Sequence, residues 1–378
     1  MKTLHIGDNL DPRIGGVYTT IRSFILAAER MNWQVHCVSL DVASDLRRDF
    51  TVESAPKIQG WPGRFWGFAN RQALRHAEEL AAETDVIAVH ALYLYHAQWA
   101  ESVARKHHKP LIVVPHGGLD PYCFTYRKLR KRLWLRTIGR SLFSYATIIY
   151  ATEGERRKAE RAIGKTRSTV ISWPVADETL AAAAGTPARR APARLLFAAR
   201  LHPMKRVLET IESFAKLNPT NCELVIAGPE TPEIQLPHLA AAAGPLWGKT
   251  VSYLGELPRQ RLYEEMKRCD GLLLFSHREN FGNAVAEAMA FGLPPIISSD
   301  VDIHELVSSW GAGRVYPIRA AGDIQDALAN VLKTPRAEWE AMSRRSAAAA
   351  PKEFSFSEFA ARLSTLFHSL REASSRPC

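Results

Sequence analysis

The feature that most constrains the fold is a repeated alternation of short apolar segments with longer helical patterns. In the first half of the chain the apolar segments include 2–7, 34–40, 86–90 and 110–115, and the alternation continues to about residue 172. A second series begins at Arg194 and ends near Ile297. Short apolar strands separated by helices are typical of parallel sheets covered on both faces. The sequence therefore predicts an α/β protein with two doubly wound parallel sheets.

The length and the linker-like composition of one segment give the domain boundaries. The chain has 378 residues, which is too long for one ordinary core. Residues 174–193 are rich in Ala, Pro and Gly and predict a linker. We therefore expect a first domain over 1–173, a second over 194–352 and a C-terminal segment over 353–378. Within that segment a helix at about 357–373 is indicated by the helical spacing of Phe359, Leu363, Leu366 and Leu370.

Composition excludes several classes of protein. Hydrophobic residues make up 46% of the chain and charged residues 23%, which is too apolar for a disordered protein. No stretch approaches 18 apolar residues, and the first residues lack the apolar region of a secretory signal. The cysteines form no CxxC pair, which indicates neither a zinc cage nor a disulfide framework, and we expect a reducing cytoplasm. They are Cys37, Cys123, Cys222, Cys269 and Cys378.

The net charge of +10 comes from one region. The segment from Cys123 to Arg167 has thirteen basic and three acidic residues, which accounts for the whole excess. The densest part carries seven basic residues and no acidic one, namely Arg127, Lys128, Arg130, Lys131, Arg132, Arg136 and Arg140.

Apolar residues in the same region fall at helical spacing. Leu135, Ile138, Leu142 and Tyr145 would share one face of a helix, whereas Leu129 and Leu133 point elsewhere. A basic, partly apolar helix suits the anionic surface of the cytoplasmic leaflet, so we expect a peripheral protein on the inner face of the cell membrane. The alternative is a solvated or acceptor-binding surface without a lipid role. Nucleic acid is not expected as a partner, because the chain has no zinc finger, RNA-binding sheet motif or basic zipper.

The strongest candidate site follows the apolar segment that ends at Phe275. A polar loop leads to a helix that should start near Phe281–Asn283, where free amides and the helix dipole favour a phosphate. Gly282 permits close backbone approach. Glu279 and Glu287 are spaced to hold separate hydroxyl groups of one elongated ligand. The structural alternative, a capping Glu279 and a solvated Glu287, is weakened by the alanines that surround Glu287.

Two cations mark a second loop, which follows the apolar segment ending at Ala199. An Arg fork at Arg200 and a point charge at Lys205, both ahead of a helix that starts at about Val207, can grip a diphosphate. The alternative is a pair of ordinary surface cations.

The first half offers weaker signals. Gly15 and Gly16 lie between the first strand and the first helix, where most such pairs form plain turns. His116 follows a strand and can contact a sugar hydroxyl, although a structural role is the commoner fate of a single histidine. The triplet Asp300-Val301-Asp302 matches a short metal-binding pattern by chance, and we expect no metal site.

Together these motifs resemble the retaining glycosyltransferases of family 4, which have the GT-B fold. The matching pieces are Gly15-Gly16, Pro115-His116-Gly117, Arg200 with Lys205, the Glu-x7-Glu segment Glu279–Glu287, Gly292-Leu293-Pro294 and Glu305. The resemblance spans essentially the whole chain and is best over 194–317. The stretch after Pro115 is similar to that of bacterial enzymes building exopolysaccharide, capsule or O-antigen. Ala199 and Arg206 depart from the family pattern, which usually has Gly at both positions.

The resemblance implies a fold, a chemistry and residue roles. Two Rossmann-like domains would face a cleft, and the C-terminal helix would pack back on the first domain. Arg200 and Lys205 would neutralise the leaving nucleoside diphosphate, Glu287 would hold the ribose and Glu279 the donor sugar. Further donor contacts would come from Gly15, Gly16, His116 and the amides of Asn280, Phe281, Gly282 and Asn283. Family members work without a metal or cofactor, since fixed cations and amides can stabilise the developing anion.

The sequence therefore predicts a metal-independent, retaining glycosyltransferase. It would move a sugar from a nucleoside-diphosphate-sugar to a growing, lipid-linked bacterial surface polysaccharide. The alternatives are a nucleotide-sugar epimerase or hydrolase of the same fold, which would consume the donor without an acceptor, and a non-catalytic nucleotide-sugar-binding protein.

Overall fold

A computed structural model describes residues 1–9, 16–41, 52–57, 59, 67, 69–125, 127–183, 191 and 193–374. It divides into two compact units, one of Met1–Trp173 with Phe356–Cys378 and one of Pro174–Ser355. Gly15, together with 184–190 and 192 of the predicted linker, lies outside the described residues. In the part of the chain that is described, no helix is long and apolar enough to cross a membrane.

The first unit is a seven-stranded parallel sheet with the strand order β3-β2-β1-β4-β5-β6-β7. Its strands are β1 (Lys2–Asn9), β2 (Gln34–Asp41), β3 (Glu53–Ser54), β4 (Val86–His90), β5 (Leu111–Val114), β6 (Thr147–Tyr150) and β7 (Ser168–Val170). The helices between them are α1 (Gly16–Arg30), α2 (Arg71–Glu83), α3 (Tyr95–Lys106), α4 (Lys128–Trp134), α5 (Arg140–Tyr145) and α6 (Glu153–Ile163). Every residue of β4, β5 and β6 is buried, as the continuous apolar runs predict.

The second unit begins with α7 (Asp177–Ala183) and contains a six-stranded parallel sheet ordered β10-β9-β8-β11-β12-β13. Its strands are β8 (Arg194–Ala198), β9 (Glu223–Ala227), β10 (Val251–Tyr253), β11 (Gly271–Leu274), β12 (Pro295–Ser298) and β13 (Arg314–Tyr316). The other helices are α8 (Val207–Leu217), α9 (Leu236–Ala243), α10 (Arg259–Arg268), α11 (Asn283–Ala290), α12 (His304–Trp310), α13 (Ala321–Leu332) and α14 (Arg336–Phe354). The predicted fold class, two doubly wound α/β units, is confirmed.

The strand order reverses once in each sheet. In the first unit the reversal lies between β1 and β4, and in the second it lies between β8 and β11. Helices on opposite faces diverge at such a point and leave a crevice at the carboxyl ends of the two strands. The loops that follow β1, β4, β8 and β11 are therefore the places where each unit can receive a ligand.

The last helix, α15 (Phe356–Ser374), belongs to the first unit. The Phe359 ring meets the Phe24 ring of α1 edge to face, with centroids 5.3 Å apart, and the Phe367 ring stacks on Trp33 at 5.4 Å. Leu363, between these two aromatic residues, is buried as well. The apolar spacing that marked this helix in the sequence is thus the face that packs on the first unit.

Part of the segment that the sequence indicated as a linker is structured. Residues Asp177–Ala183 form α7, which packs against α10 and α11 of the second unit. The buried Thr179 hydroxyl hydrogen-bonds the Tyr263 hydroxyl. Alanine is the best helix former, so an alanine-rich run that has a partner surface becomes a helix rather than a flexible connection.

Candidate functional site

The loops after β8 and β11 bring two of the predicted residues into direct contact. The Lys205 ammonium forms an ion pair with the Glu279 carboxylate, across the reversal point of the second sheet. Both side chains are mostly buried, with 17% and 24% of their surface exposed. Arg200 lies on the same loop as Lys205 and is exposed. A cation and a carboxylate thus share one place at the carboxyl edge of the sheet.

Burial and a neighbouring cation disfavour the charged form of Lys205. Burial and then the charge of Arg200 lower the pKa of Lys205 to about 8. The carboxylate of Glu279 acts in the opposite direction, because an adjacent anion favours the ammonium form. Lys205 is therefore a partly desolvated cation next to a second cation, and an arriving anion would stabilise both.

Arg206, one of the departures from the family pattern, supports this loop. Its backbone is left-handed, with φ of 53°, which explains why glycine is usual at this position. Its side chain is 5% exposed, contacts both ring nitrogens of His277 and donates to the Ile318 carbonyl at 3.1 Å. The amide of His277 also donates to the Met204 carbonyl at 2.8 Å. Arg206 and His277 therefore fasten the loop after β8 to the loop after β11.

The Asp300-Val301-Asp302 triplet holds the backbone of Glu279 in place. The Glu279 amide donates to the Asp300 carbonyl at 3.1 Å, and the Asp302 amide donates to the Glu279 carbonyl at 2.9 Å. Glu279 and Val301 form an isolated parallel bridge. These hydrogen bonds show that the triplet supports the backbone of the candidate site.

The helix after this loop, α11, begins at Asn283, inside the predicted interval. Gly282 precedes it with φ of 91°, and a Cβ there would lie 3.1 Å from Val301 and 3.6 Å from the Cγ atom of Glu279. The ring of Phe281 is buried against Phe354, with centroids 5.9 Å apart, so this residue can offer only its backbone to a ligand. The amides of the first helical turn point out of the helix, where they can bind an anion.

Glu287 lies in the second turn of α11 and is not a solvated surface residue. Only 18% of its side chain is exposed, and burial raises its pKa, which Arg259 at 3.8 Å partly offsets. Glu279 lies outside the helix, four residues before its start. The structural alternative considered for the two residues is therefore wrong, because the N-cap of α11 is Gly282 and Glu279 is paired with Lys205.

In the first unit, His116 is the end of a chain of histidines. His116 Nε2 lies 3.1 Å from His90 Nδ1, and His90 Nε2 lies 3.0 Å from His5 Nδ1. His90 ends β4 and His5 lies in β1, so the chain runs across the point where this sheet reverses. Gly16, the described member of the glycine pair, starts α1 after β1.

Burial keeps these histidines uncharged at neutral pH. It lowers the pKa of His5 to about 4 and that of His116 to about 3, and it also lowers the pKa of His90. A neutral imidazole has one N–H, so each nitrogen pair in the chain shares a single proton. The proton on His90 thus decides whether His116 Nε2 donates or accepts, and the tautomers of the three residues are coupled.

Sequence reasoning missed four residues that support the candidate site, namely His5, His90, His277 and Glu155. The buried Glu155 carboxylate accepts the Gly117 amide at 2.9 Å and the Ala151 amide at 2.8 Å, which fixes the turn that carries His116. His90 had a detectable signal, because it ends an entirely apolar strand, where an unpartnered imidazole would be costly.

Two of the seven basic residues at 127–140 contact the first unit. Arg130 donates to the Tyr93 carbonyl at 3.0 Å, and burial lowers its pKa. Lys131 donates to the Cys123 carbonyl at 2.6 Å and lies 5.2 Å from the centre of the Tyr93 ring. These two half-buried cations hold the segment onto the first unit. The other five, Arg127, Lys128, Arg132, Arg136 and Arg140, are exposed.

The apolar face of the basic segment also differs from the prediction. Leu142 is fully buried, and Leu135, Ile138 and Tyr145 pack against the core, so this face is turned inward. The exposed apolar residues are instead Leu129 and Leu133, with 82% and 60% of their surface exposed. A π-helical segment at Leu135–Gly139 follows these two leucines, and its extra residue per turn shifts the helical register.

Comparisons with known proteins define the class. Two family models match consecutive parts of the chain, "Glycosyltransferase Family 4" over residues 14–178 and "Glycosyl transferases group 1" over residues 184–351. Among solved structures, the chain is similar to Anabaena Alr3699/HepE in complex with UDP, with a TM-score of 0.78, 17% identity and coverage of 98% of this chain and 100% of that one. It is also similar to the lipopolysaccharide outer core galactosyltransferase WaaB, with a TM-score of 0.70, 18% identity and coverage of 98% and 100%. The protein is a glycosyltransferase with the GT-B fold.

The chain belongs to glycosyltransferase family 4, as the motifs predict. It is 27% identical over 346 residues to a GDP-mannose:cellobiosyl-diphosphopolyprenol alpha-mannosyltransferase of Xanthomonas oryzae pv. oryzae, covering 87% of both chains. It is 26% identical over 345 residues to the enzyme of the same name from Xanthomonas campestris, again with 87% coverage of both.

Proposed function

We propose that this glycosyltransferase moves a hexosyl group from a nucleoside-diphosphate-sugar to a glycan linked to a polyprenol diphosphate. The product would be a precursor of a bacterial surface polysaccharide. The sugar would keep its anomeric configuration, and the reaction would need no metal ion or other cofactor.

The observation that carries the proposal is the Lys205–Glu279 pair at the reversal point of the second sheet. Without a donor, the carboxylate compensates the partly buried ammonium. A donor diphosphate would take over this role with its own negative charge, and Glu279 would then accept hydrogen bonds from hydroxyl groups of the sugar. The pair thus offers one partner to each half of the donor.

The motifs shared with the family suggest the roles of the other residues. Arg200 would bind the diphosphate together with Lys205, and the amides at 280–283 would meet the sugar and phosphate. Glu287 would hold the ribose hydroxyls, since its buried carboxylate needs such partners. His116, Gly15 and Gly16 would complete the donor contacts from the first unit.

The relatives suggest the substrates to test first. The two Xanthomonas enzymes take mannose from GDP-mannose and form an alpha-mannoside on a diphosphopolyprenol-linked cellobiose, according to their names. Because the mannose of GDP-mannose is α-linked, such a product retains the configuration. In a same-face displacement the bond from the anomeric carbon to the phosphate oxygen breaks, the acceptor oxygen bonds to that carbon, and the departing oxygen takes the acceptor's proton.

The test is a transfer assay with a panel of GDP- and UDP-hexoses, first ranked by thermal shift, and a short prenyl diphosphate-linked cellobiose as acceptor. We expect one donor to raise the melting temperature and to yield a product one hexose heavier, with the donor's anomeric configuration by NMR. Consumption of the donor without acceptor would support the epimerase or hydrolase. Binding without any turnover would support the non-catalytic alternative.

Metal independence is tested in the same assay. We expect the initial rate to be unchanged after treatment with EDTA and after addition of Mg²⁺ or Mn²⁺. A loss of activity with EDTA that Mn²⁺ restores would contradict this part of the proposal.

A position on the inner face of the cell membrane follows from the acceptor and from the exposed cations. We expect the protein to bind vesicles that contain anionic lipid and to be released when Lys128, Arg132, Arg136 and Arg140 are replaced by Gln. Unchanged binding of this variant would contradict the membrane surface. Replacing all seven basic residues would be a poorer test, because Arg130 and Lys131 hold the segment in place.

A further inference from the structure

A cavity of about 550 Å³ opens beside the basic segment of the first unit. It lies between the 3₁₀ turn Pro121–Phe124, the helix α4 and the end of α6. Phe124 and Leu135 provide apolar walls, and three cations, Lys128, Arg132 and Arg161, line the rest. None of the described residues that line it is acidic.

In the described part of the chain, the three cations have no counter-charge, unlike two cations of α6. On α6, Arg156 pairs with Glu153 at 2.6 Å and Lys158 pairs with Asp120 at 3.2 Å. By contrast, among the described residues none forms an ion pair or hydrogen bond with the side chains of Lys128, Arg132 or Arg161. Like charges around one cavity repel each other, so an anion with several oxygens would stabilise the arrangement.

Exposed apolar side chains lie on two of the elements that line the cavity. In the described part of the chain five large hydrophobic residues are exposed, and three of them, Tyr122, Leu129 and Leu133, lie on the turn and the helix that line it. Leu129 and Leu133 are one helical turn apart, next to Lys128 and Arg132. Exposed leucines grouped in this way mark a surface that binds an apolar partner.

An anion site with apolar walls and adjoining leucines fits a ligand with an anionic head and a hydrocarbon chain. We propose that this cavity binds the diphosphate of the polyprenyl carrier, with the first isoprene units lying against Leu129 and Leu133. This inference rests on the proposed function for the identity of the acceptor. It adds a site for the carrier that is built only from residues of the first unit.

The probe is farnesyl diphosphate, a short soluble prenyl diphosphate, titrated by calorimetry into the full-length protein. Inorganic pyrophosphate and farnesol serve as probes that lack the chain or the charge. We expect farnesyl diphosphate to bind at least tenfold more tightly than either. Equal binding of pyrophosphate and farnesyl diphosphate would overturn the apolar part of the site.

The variants separate the cavity from general electrostatics. We expect the double variant Lys128→Gln, Arg132→Gln to bind farnesyl diphosphate at least tenfold more weakly than the wild type. Arg136→Gln, Arg140→Gln is the matched control, because it removes the same charge from the same segment outside the cavity, and it should bind normally. Equal loss in both double variants would overturn the proposal in favour of a diffuse basic surface. The double variant Leu129→Ser, Leu133→Ser should weaken the binding of farnesyl diphosphate but not the binding of pyrophosphate.

The same experiments distinguish a failure of this inference from a failure of the proposed function. Transfer of a sugar by a protein that does not bind farnesyl diphosphate in the cavity would overturn this inference and leave the glycosyltransferase assignment intact. The wild type could instead bind farnesyl diphosphate, lose this binding in the Lys128, Arg132 variant, and transfer sugar from no donor. That result would support the cavity and contradict the proposed substrates.

Discussion

The chain of buried histidines makes the first unit sensitive to acid. Burial lowers the pKa of His5 from 6.5 to about 4, so the unfolded chain binds a proton more tightly than the folded one. The free energy of unfolding must therefore fall as the pH decreases through the unfolded pKa, and it continues to fall until the folded pKa is reached. Between about pH 7 and about pH 5 the contribution of His5 amounts to about 2 kcal/mol.

The perturbation is His5→Gln, whose amide can still hydrogen-bond His90 but does not titrate. The variant is expected to be less stable at neutral pH. Its loss of stability between about pH 7 and about pH 5 should nevertheless be smaller than that of the wild type by about 2 kcal/mol. Comparing the two pH dependences removes any change in stability that does not depend on pH.

Amide hydrogen exchange of peptides from β1 and β4 measures the opening free energy of the first unit separately from the second. His368→Gln is the control, because His368 is an exposed histidine of the same unit, on α15, and its replacement should leave the pH dependence unchanged. Identical pH dependences for the wild type and His5→Gln would refute the reasoning. They would mean that burial does not lower the pKa of His5 in the folded protein.

Three further predictions concern the second unit. Lys205→Ala and Glu279→Ala should each reduce sugar transfer by at least about 100-fold, with the fold intact by circular dichroism. The control Lys216→Ala, which removes an exposed lysine of α8, should not reduce transfer, and wild-type turnover in either site variant would contradict the assignment. Arg206→Gly relieves the left-handed backbone but removes the bonds to His277 and Ile318, so donor affinity should fall, and an unchanged Kd would show that the tether has no role. Gly282→Ala should lower the free energy of unfolding by about 1–3 kcal/mol in urea titrations, because its φ of 91° strains an alanine; no change would contradict that strain.

Local sequence patterns predicted most of the fold. Buried strands such as β4 and β5 read as continuous apolar runs, and the face of α15 that packs on the first unit was visible in its spacing. The alanine-rich segment that forms α7 was not predicted as a helix, because its stability depends on contacts such as Thr179 with Tyr263 that are distant in the chain. The π-helical segment also escaped prediction, since an added residue per turn leaves no mark in a periodic pattern.

The candidate site was predicted in its residue types but not in its pairings. Lys205 and Glu279 are 74 residues apart, and only the strand order, with β8 beside β11, brings their loops together. The same is true of His5 and His90, which meet because β1 and β4 are neighbours. Strand order is a property of the whole sheet, so motif analysis named members of the site without naming their partners.

The account depends most on the claim that Lys205 and Glu279 serve the two halves of one donor. Calorimetric titration of the nucleoside diphosphate alone tests this claim directly. We predict that Lys205→Ala weakens its binding at least tenfold, whereas Glu279→Ala, which removes a competing carboxylate, binds it at least as tightly as the wild type does. An unchanged affinity in Lys205→Ala, or an equal loss in both variants, would contradict the account.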